Sequence, residues 1–459
     1  MSRPPAILAA CVVLTAGCAP AFGPFSDLID EGWLVTLDDT RAALETVARP
    51  EPQAVIPKDA TEADYVRLAL ERNPAIRAAN QRVRRLAQRI PQAESLDDPV
   101  VRVAPFGEMA QTAAGEVGLM TSVSQKLPFP GKLEARGRIA AQEVAGAAQE
   151  LQRIRLAVVS DTRLAFWSYY DAARAIEVTE RSRELLTQIR DVAESKLKTG
   201  TVTQQDVLRA SLELSNLDNE LIALRQRLTT SQAMLNRLID RPIDAALPVP
   251  EARDLEQITF SLAELLAEAG RANPGLRGIR HRIEGFRERL SLAKLNRWPD
   301  LNVSFNYNLV DREGLSGVAN GDDQWWVSFG VNLPIWTHRL DAAEAEAIRG
   351  LLEGTASLDD EQNRIAFRVQ DALARAESHQ RQVVLVRDVI LQQARQTVQA
   401  SMSSYRAGTL EFLALVDNWR KLLDVQLMYH HILSQYEKSF AELQRTVGRD
   451  LPRASEEPK

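Results

Sequence analysis

Asn73-Pro74-Ala75-Ile76-Arg77 and, further on, Asn273-Pro274-Gly275-Leu276-Arg277 are one phrase written twice in a single chain. The residues that follow keep step: Arg82 with Arg282, Val83 with Ile283, Arg89 with Arg289, Pro99 with Pro299. Leu127-Pro128 then answers to Leu333-Pro334, and Gly200-Thr201 to Gly408-Thr409. The offset drifts from 200 (73 to 273) through 206 (127 to 333) to 208 (200 to 408), as small insertions would make it. A repeat this long is a whole structural unit, far beyond the ~20–50-residue module of a solenoid. Each copy reads helix, strand, strand, long helix, turn, helix. The expected fold is therefore mainly α with a small β part, in two structural repeats.

The strands are clearest in the second copy. Leu301, Val303, Phe305, Tyr307 and Leu309 alternate with Asn302, Ser304, Asn306 and Asn308. Past a Gly/Asp-rich loop, Trp325, Val327, Phe329, Val331 and Leu333 alternate with Ser328, Gly330 and Asn332. This period of two predicts strands over 300–310 and 324–334, with weaker counterparts over 99–106 and 118–127. About ten residues of apolar/polar alternation suit a tilted transmembrane β-strand, and Trp298, Trp325, Trp326 and Trp336 sit at strand ends, where aromatic girdles lie. Four strands cannot close a pore, since small barrels need about eight, and an open sheet edge in lipid is costly. A barrel would have to be shared among chains.

The helices are long. From about Lys132 to Lys198, and again from about Arg339 to Tyr405, there is no proline and little glycine. Each stretch would span roughly 100 Å as one helix. The returning helices carry apolar seams in steps of four and three, Ala210 to Leu238 and Leu415 to Val447, as coiled-coil packing requires. Gly200 and Gly408 sit at the reversals, where a helix C-terminus favours a left-handed residue. A first helix is expected from Thr61 toward Ile90, closed by Pro91 and Pro99, preceded by an extended arm.

The N-terminus reads as a processing signal. Ala6 to Ala16 is too short to span a bilayer stably. It ends Leu14-Thr15-Ala16-Gly17-Cys18, which resembles a bacterial lipobox, with Leu one place further from the cleavage site than is usual. Cleavage before Cys18 would leave Cys18 as the lipid-bearing residue, and Ala19 in place of Asp favours the outer membrane. Cys11 would leave with the signal, so no thiol remains for a disulfide, metal or nucleophile. The expected division is signal 1–17, lipidated arm 18–60, first repeat 61–241, linker 242–260, second repeat 261–450 and tail 451–459.

The bulk numbers narrow the classes. In 459 residues the net charge is −6, so no basic field invites nucleic acid. The 45% hydrophobic and 26% charged fractions are those of a folded chain. No Gly-x-Ser-x-Gly, His-Glu-x-x-His or phosphate loop is present, so no enzyme class is supported. Of the five histidines, adjacent His430 and His431 point about 100° apart on a helix and do not share one ion easily.

Taken in order, the Asn-Pro helix starts, the paired hairpins, Gln125-Lys126-Leu127-Pro128-Phe129-Pro130-Gly131-Lys132 and the two tips resemble the TolC family of outer-membrane efflux proteins over roughly 61–450. The tips are Lys198-Thr199-Gly200-Thr201-Val202 and Arg406-Ala407-Gly408-Thr409-Leu410. The Pro-Phe-Pro-Gly-Lys stretch and the lipobox look like the lipoprotein branch that serves resistance-nodulation-division (RND) pumps. The resemblance implies a homotrimer with a twelve-stranded barrel in outer-membrane lipid and a helical tunnel across the periplasm. It also implies a periplasmic adaptor (membrane fusion) protein, an inner-membrane RND-type transporter, and no cofactor beyond lipid on Cys18. By position Asp417 matches an acidic residue of the pore aperture, with Ala414 where a second acid is expected. Asp206 matches a tip residue that helps hold the pore shut. Gly200, Thr201, Val202, Gly408, Thr409 and Leu410 fall where the adaptor docks. The expected function is a passive duct for small molecules or metal ions. A duct for type I protein secretion, and a lipid-anchored coiled-coil scaffold without a pore, stay open as alternatives.

Overall fold

The computed structural model describes residues 33, 36–47, 56–251, 258–312, 317–318 and 321–452; Cys18, the signal 1–17 and most of the tail lie outside them. The elements run α1 (Leu37–Val47), α2 (Glu62–Arg72), α3 (Pro74–Ala87), α4 (Arg89–Glu94), β1 (Val100–Thr112), β2 (Gly115–Leu127), α5 (Lys132–Lys198), α6 (Gln204–Leu238), α7 (Leu262–Ala272), α8 (Pro274–Leu295), β3 (Leu301–Asp311), β4 (Gln324–Val331), α9 (Thr337–Leu385), a π turn (Val386–Ile390), α10 (Leu391–Ala407) and α11 (Phe412–Val447). Two compact units divide them. One takes in Gln81–Ala148 with Gly278–Leu358, the other Leu44–Asn80, Gln149–Arg277 and Asp359–Lys459.

The first unit holds the sheet, antiparallel throughout in the order β1-β2-β3-β4. Its register sorts the side chains. Val123, Phe305 and Val327 fall in one row across three strands, and Ser124, Ser304 and Ser328 in the next. One face is thus mainly apolar, with Thr121 and Gln125 among its rows, and the other is mainly polar, carrying Ser, Asn, Arg102 and Lys126 with Met120 and Trp326 as its apolar exceptions. On the apolar face Val103, Trp325, Phe329 and Val331 are more than half exposed, so none of the described residues covers them.

The strand-to-helix crossing is pinned by a buried cation. The Lys132 side chain is 3% exposed and its Nζ donates to Asp300 Oδ1 (2.7 Å) and to the carbonyl of Trp298 (2.8 Å). The Phe129 amide donates to the same carboxylate oxygen at 3.0 Å, and Phe129 stacks on Trp298 at 5.3 Å. Helices α8 and α9 approach closely. A Cβ at Gly350 would lie 2.4 Å from the Phe286 ring and one at Gly354 2.8 Å from Ile283, so only glycine fits there.

In the second unit an apolar core gathers α5, α6, α10 and α11. Trp419 and Tyr405 are its largest fully buried side chains, and Trp167, Tyr65, Tyr170 and Tyr436 are fully buried elsewhere in the unit. Glu62, itself buried, accepts from Trp167 Nε1 at 2.9 Å and pairs with Arg163 at 2.9 Å.

The structure corrects four expectations. The helix expected from Thr61 to Ile90 is broken at Asn73, which is extended (φ −60°, ψ 124°) because Pro74 disfavours the helical region at the residue before it. Pro91 lies inside α4 and not after a helix; in a first turn its missing N–H has no helical partner to lose. The arm expected to be extended contains α1, which opens on Thr36 and Asp39 exchanging side-chain and amide hydrogen bonds. The helix expected to run unbroken over 339–405 contains the π turn at Val386–Ile390. Buried positions there run Val383, Val386, Leu391, Val398; the five-residue step is one longer than an α turn allows, and the wider turn absorbs it. The strands also differ at their ends. β1 continues to Thr112, and β4 stops at Val331.

Candidate functional site at the helical reversals

The two reversals are built alike, down to their side chains. Gly200 and Gly408 take the left-handed conformation, φ 73° and 79°. The next amide in each bonds back across the turn: Thr201 N to Lys196 O and Thr409 N to Ser404 O, both 3.0 Å. That is the Schellman motif, and it satisfies carbonyls that a helix end leaves orphaned. The threonine hydroxyls repeat the bond, Thr201 Oγ1 to Lys196 O (3.0 Å) and Thr409 Oγ1 to Ser404 O (3.1 Å). Val202 and Leu410 turn inward onto a core of Leu186, Ile189, Ala193, Phe412, Leu415 and Trp419. Of the residues expected to dock a partner, Gly200, Thr201, Gly408 and Thr409 are therefore exposed, while Val202 and Leu410 are half-buried and anchor the turns.

Asp206 is the third residue of α6. Its carboxylate accepts from the Thr203 amide (3.1 Å) and hydroxyl (3.0 Å), which closes a capping box. Its charge also bears on Tyr405: burial first, and Asp206 second, push that phenol above its ordinary value. Tyr405 is buried, stacks edge-on to Phe412 at 5.7 Å, and lies 4.7 Å from Lys196 Nζ. The same ammonium donates to the Tyr405 carbonyl. Lys196 thus ties α5 to α10 just inside the reversals. Sequence reading missed this tie, because the repeat places Ser404 opposite Lys196 and a single lysine near a tip carries no pattern. Asp417, on α11, pairs with Lys421 at 2.8 Å with both side chains more than half exposed. Beside it Arg420 bridges to Glu213 of α6.

Further along the helices His430 bonds Tyr170 (3.1 Å) and His431 bonds Asp171 (3.1 Å), so the two rings serve different partners. Burial, with Arg174 beside it, depresses the His430 imidazole to about 4. Among the described residues no three His, Cys, Asp or Glu side chains converge as metal ligands, and no helix is long and apolar enough to cross a membrane.

The family model described as outer membrane efflux protein matches this chain twice, over residues 65–240 and 265–449. The toluene efflux pump outer membrane protein TtgF of Pseudomonas putida is 22% identical over 369 residues, covering 78% of this chain and 72% of its own. Among solved structures, the outer membrane protein VceC of Vibrio cholerae superposes with a TM-score of 0.69 at 18% identity, over 84% of this chain and 96% of its own. The CmeC outer membrane channel of Campylobacter jejuni gives 0.70 at 16% identity, over 87% and 90%.

Proposed function

The chain belongs to the outer membrane efflux protein family, and from that premise we propose that three copies close a passive export duct through the outer membrane. The observation that carries the reading is the sheet. It has four strands, one mainly apolar face that no described residue covers and one mainly polar face, and its order leaves β1 and β4 at the edges. Such a sheet is unsuited to water on one face and to lipid at its edges. Three copies of four strands make a closed barrel of twelve, with lipid outside and a polar lumen. The long helices continue the duct into the periplasm. Energy comes from a partner, so the chain itself needs no catalytic group or cofactor.

The partners we assign are a periplasmic adaptor and an inner-membrane RND-type transporter. The cargo is small molecules or metal ions, in line with the efflux function of TtgF. Gly200, Thr201, Gly408 and Thr409, with Val202 and Leu410 holding their turns, form the adaptor-docking surface. A ring of three Asp417 carboxylates forms the aperture, with Lys421 moderating their mutual repulsion. Asp206 positions α6 at its start and acts on the gate through Tyr405. Cys18 carries the lipid that adds an anchor to the barrel. Export of proteins by a type I system is the second reading, since a wide polar lumen does not select its load.

Native mass of the detergent-extracted protein tests the proposal, together with outer-membrane fractionation and palmitate labelling of wild type and Cys18→Ala. A labelled trimer in the outer membrane, with label lost in the variant, is the expected result. A monomer released without detergent would overturn the duct and favour the scaffold.

A further inference from the structure

We infer that a cleft between α5, α6 and α11 is a binding site for a small oxyanion, of the phosphate or carboxylate class, held by Lys438, Arg227 and Ser231.

The cleft follows from the helices around it. Its α5 wall carries Ser168, Ala172 and Ala175, at the three- and four-residue steps of one helical face. On α6 the apolar seam is buried at Leu217, Leu221, Leu224, Leu235 and Leu238, but Ser231 takes a seam position between Leu224 and Leu235. Short side chains thus face each other where leucines would fill the space, and about 280 Å³ stays open. A water takes about 30 Å³ of the liquid, so a phosphate-sized anion fits together with several waters. Lys438, from α11, lines the third side. All three walls belong to one compact unit of a single chain, so the site is complete without a second copy.

The side chains that line this space are rich in unused donors. Ser168 Oγ already donates to the Leu164 carbonyl (2.8 Å) and Thr230 Oγ1 to that of Gln226 (3.1 Å). Lys438, Arg227 and Ser231 make no hydrogen bond or ion pair with another described residue. Lys438 is half-buried, and burial holds its ammonium below the ordinary lysine value, with Asp171 pulling the other way. The Asp171 carboxylate is itself engaged, by His431 Nδ1 at 3.1 Å. A desolvated ammonium without an acceptor is costly, and a ligand that supplies a charged oxygen lowers that cost. Arg227 adds a planar fork matched to two such oxygens, and Ser231 a hydroxyl proton. Two cations against one carboxylate leave the cleft positive, which selects an anion over a metal ion. Once bound, the anion ties α5, α6 and α11 together.

Calorimetric titration of sodium phosphate and of sodium acetate into the detergent-purified full-length protein tests the site, with ionic strength held constant by chloride. Lys438→Met, Arg227→Gln and Asp171→Asn are titrated beside the wild type. We expect at least one of the two anions to bind saturably, one per chain, whether the protein is a monomer or a trimer. Lys438→Met should weaken that binding about tenfold or more, which is ten times the dissociation constant. Arg227→Gln should weaken it severalfold, and Asp171→Asn should tighten it by removing a like charge. The same anion should raise the thermal midpoint of the wild type and not of Lys438→Met. Without anion Lys438→Met should melt no lower than wild type, because it removes a desolvated charge and breaks no pair. Failure of both anions to bind, or binding that Lys438→Met leaves unchanged, overturns the site. A Lys438→Met protein that melts lower while the wild type ignores both anions also overturns it, and makes Lys438 a water-bridged partner of Asp171.

Discussion

Asn73 and Asn273 each do two jobs. Their side-chain oxygens accept from the amide two residues on, Ala75 and Gly275, at 2.9 and 2.8 Å, which starts the helix behind each proline. Their Nδ2 groups donate to the carbonyls of Leu238 and Thr446, the ends of α6 and α11, at 2.9 and 2.8 Å. Asn73→Ala or Asn273→Ala removes both bonds and leaves a carbonyl unpaired, at about 1–3 kcal/mol each; denaturant unfolding in detergent measures it. Arg77→Ala, which removes an exposed pair with Asp240, is expected to cost under about 1 kcal/mol. His430 adds a pH dependence. Its folded value of about 4 lies below the ordinary 6.5, so the unfolded chain binds more protons between the two. That contribution is full above 6.5 and is lost as the pH falls toward 4, by as much as about 3 kcal/mol. His430→Asn should flatten that part of the stability curve, and an unchanged slope would refute the assignment. At this scale the sequence displayed the repeated asparagines but not what they hold, because their acceptors lie 165 and 173 residues away. It also offered Asp206 as a gate residue and concealed its cap, although Thr203 and Asp206 stand at capping-box spacing.

The strands were the most legible elements, since alternation survives only where two faces differ, and β3 begins within one residue of its expected start. The breaks were not. Pro74 stops a helix in the middle of an apolar pattern that runs on past it, and the π turn answers to a burial phase set by neighbouring helices, which no local pattern records. Two opposite faces of β3 give a direct test. Phe305→Arg places a charge on the apolar face and should cost about 2–4 kcal/mol of folding into lipid, whereas Asn306→Arg on the polar face should cost close to nothing. Heat-modifiable migration after refolding into vesicles reads both, and equal losses would contradict the assignment of faces. At the reversals, Gly408→Ala forces a Cβ onto φ 79° and should cost about 1 kcal/mol. It should also weaken adaptor binding, as measured by titration of purified adaptor onto the membrane-reconstituted protein.

As a whole, the molecule is one half-design used twice and then, on our reading, three times more. The repeat was visible in the chain over residues 61–241 and 261–450, and the order of its parts was enough to choose the architecture. What the chain could not display is how far Asp417, our proposed aperture residue, is neutralised, since Lys421 lies one helical turn from it and its pairing is a matter of rotamer. The central claim is a trimeric pore with its narrowing near Asp417. Single-channel conductance of the detergent-purified protein in planar bilayers, beside Asp417→Ala, tests it most directly. The account predicts small, discrete wild-type openings that enlarge in Asp417→Ala or lose their sensitivity to divalent cations. Silent bilayers from both proteins, with the chain monomeric and soluble once its lipid is removed, would contradict it.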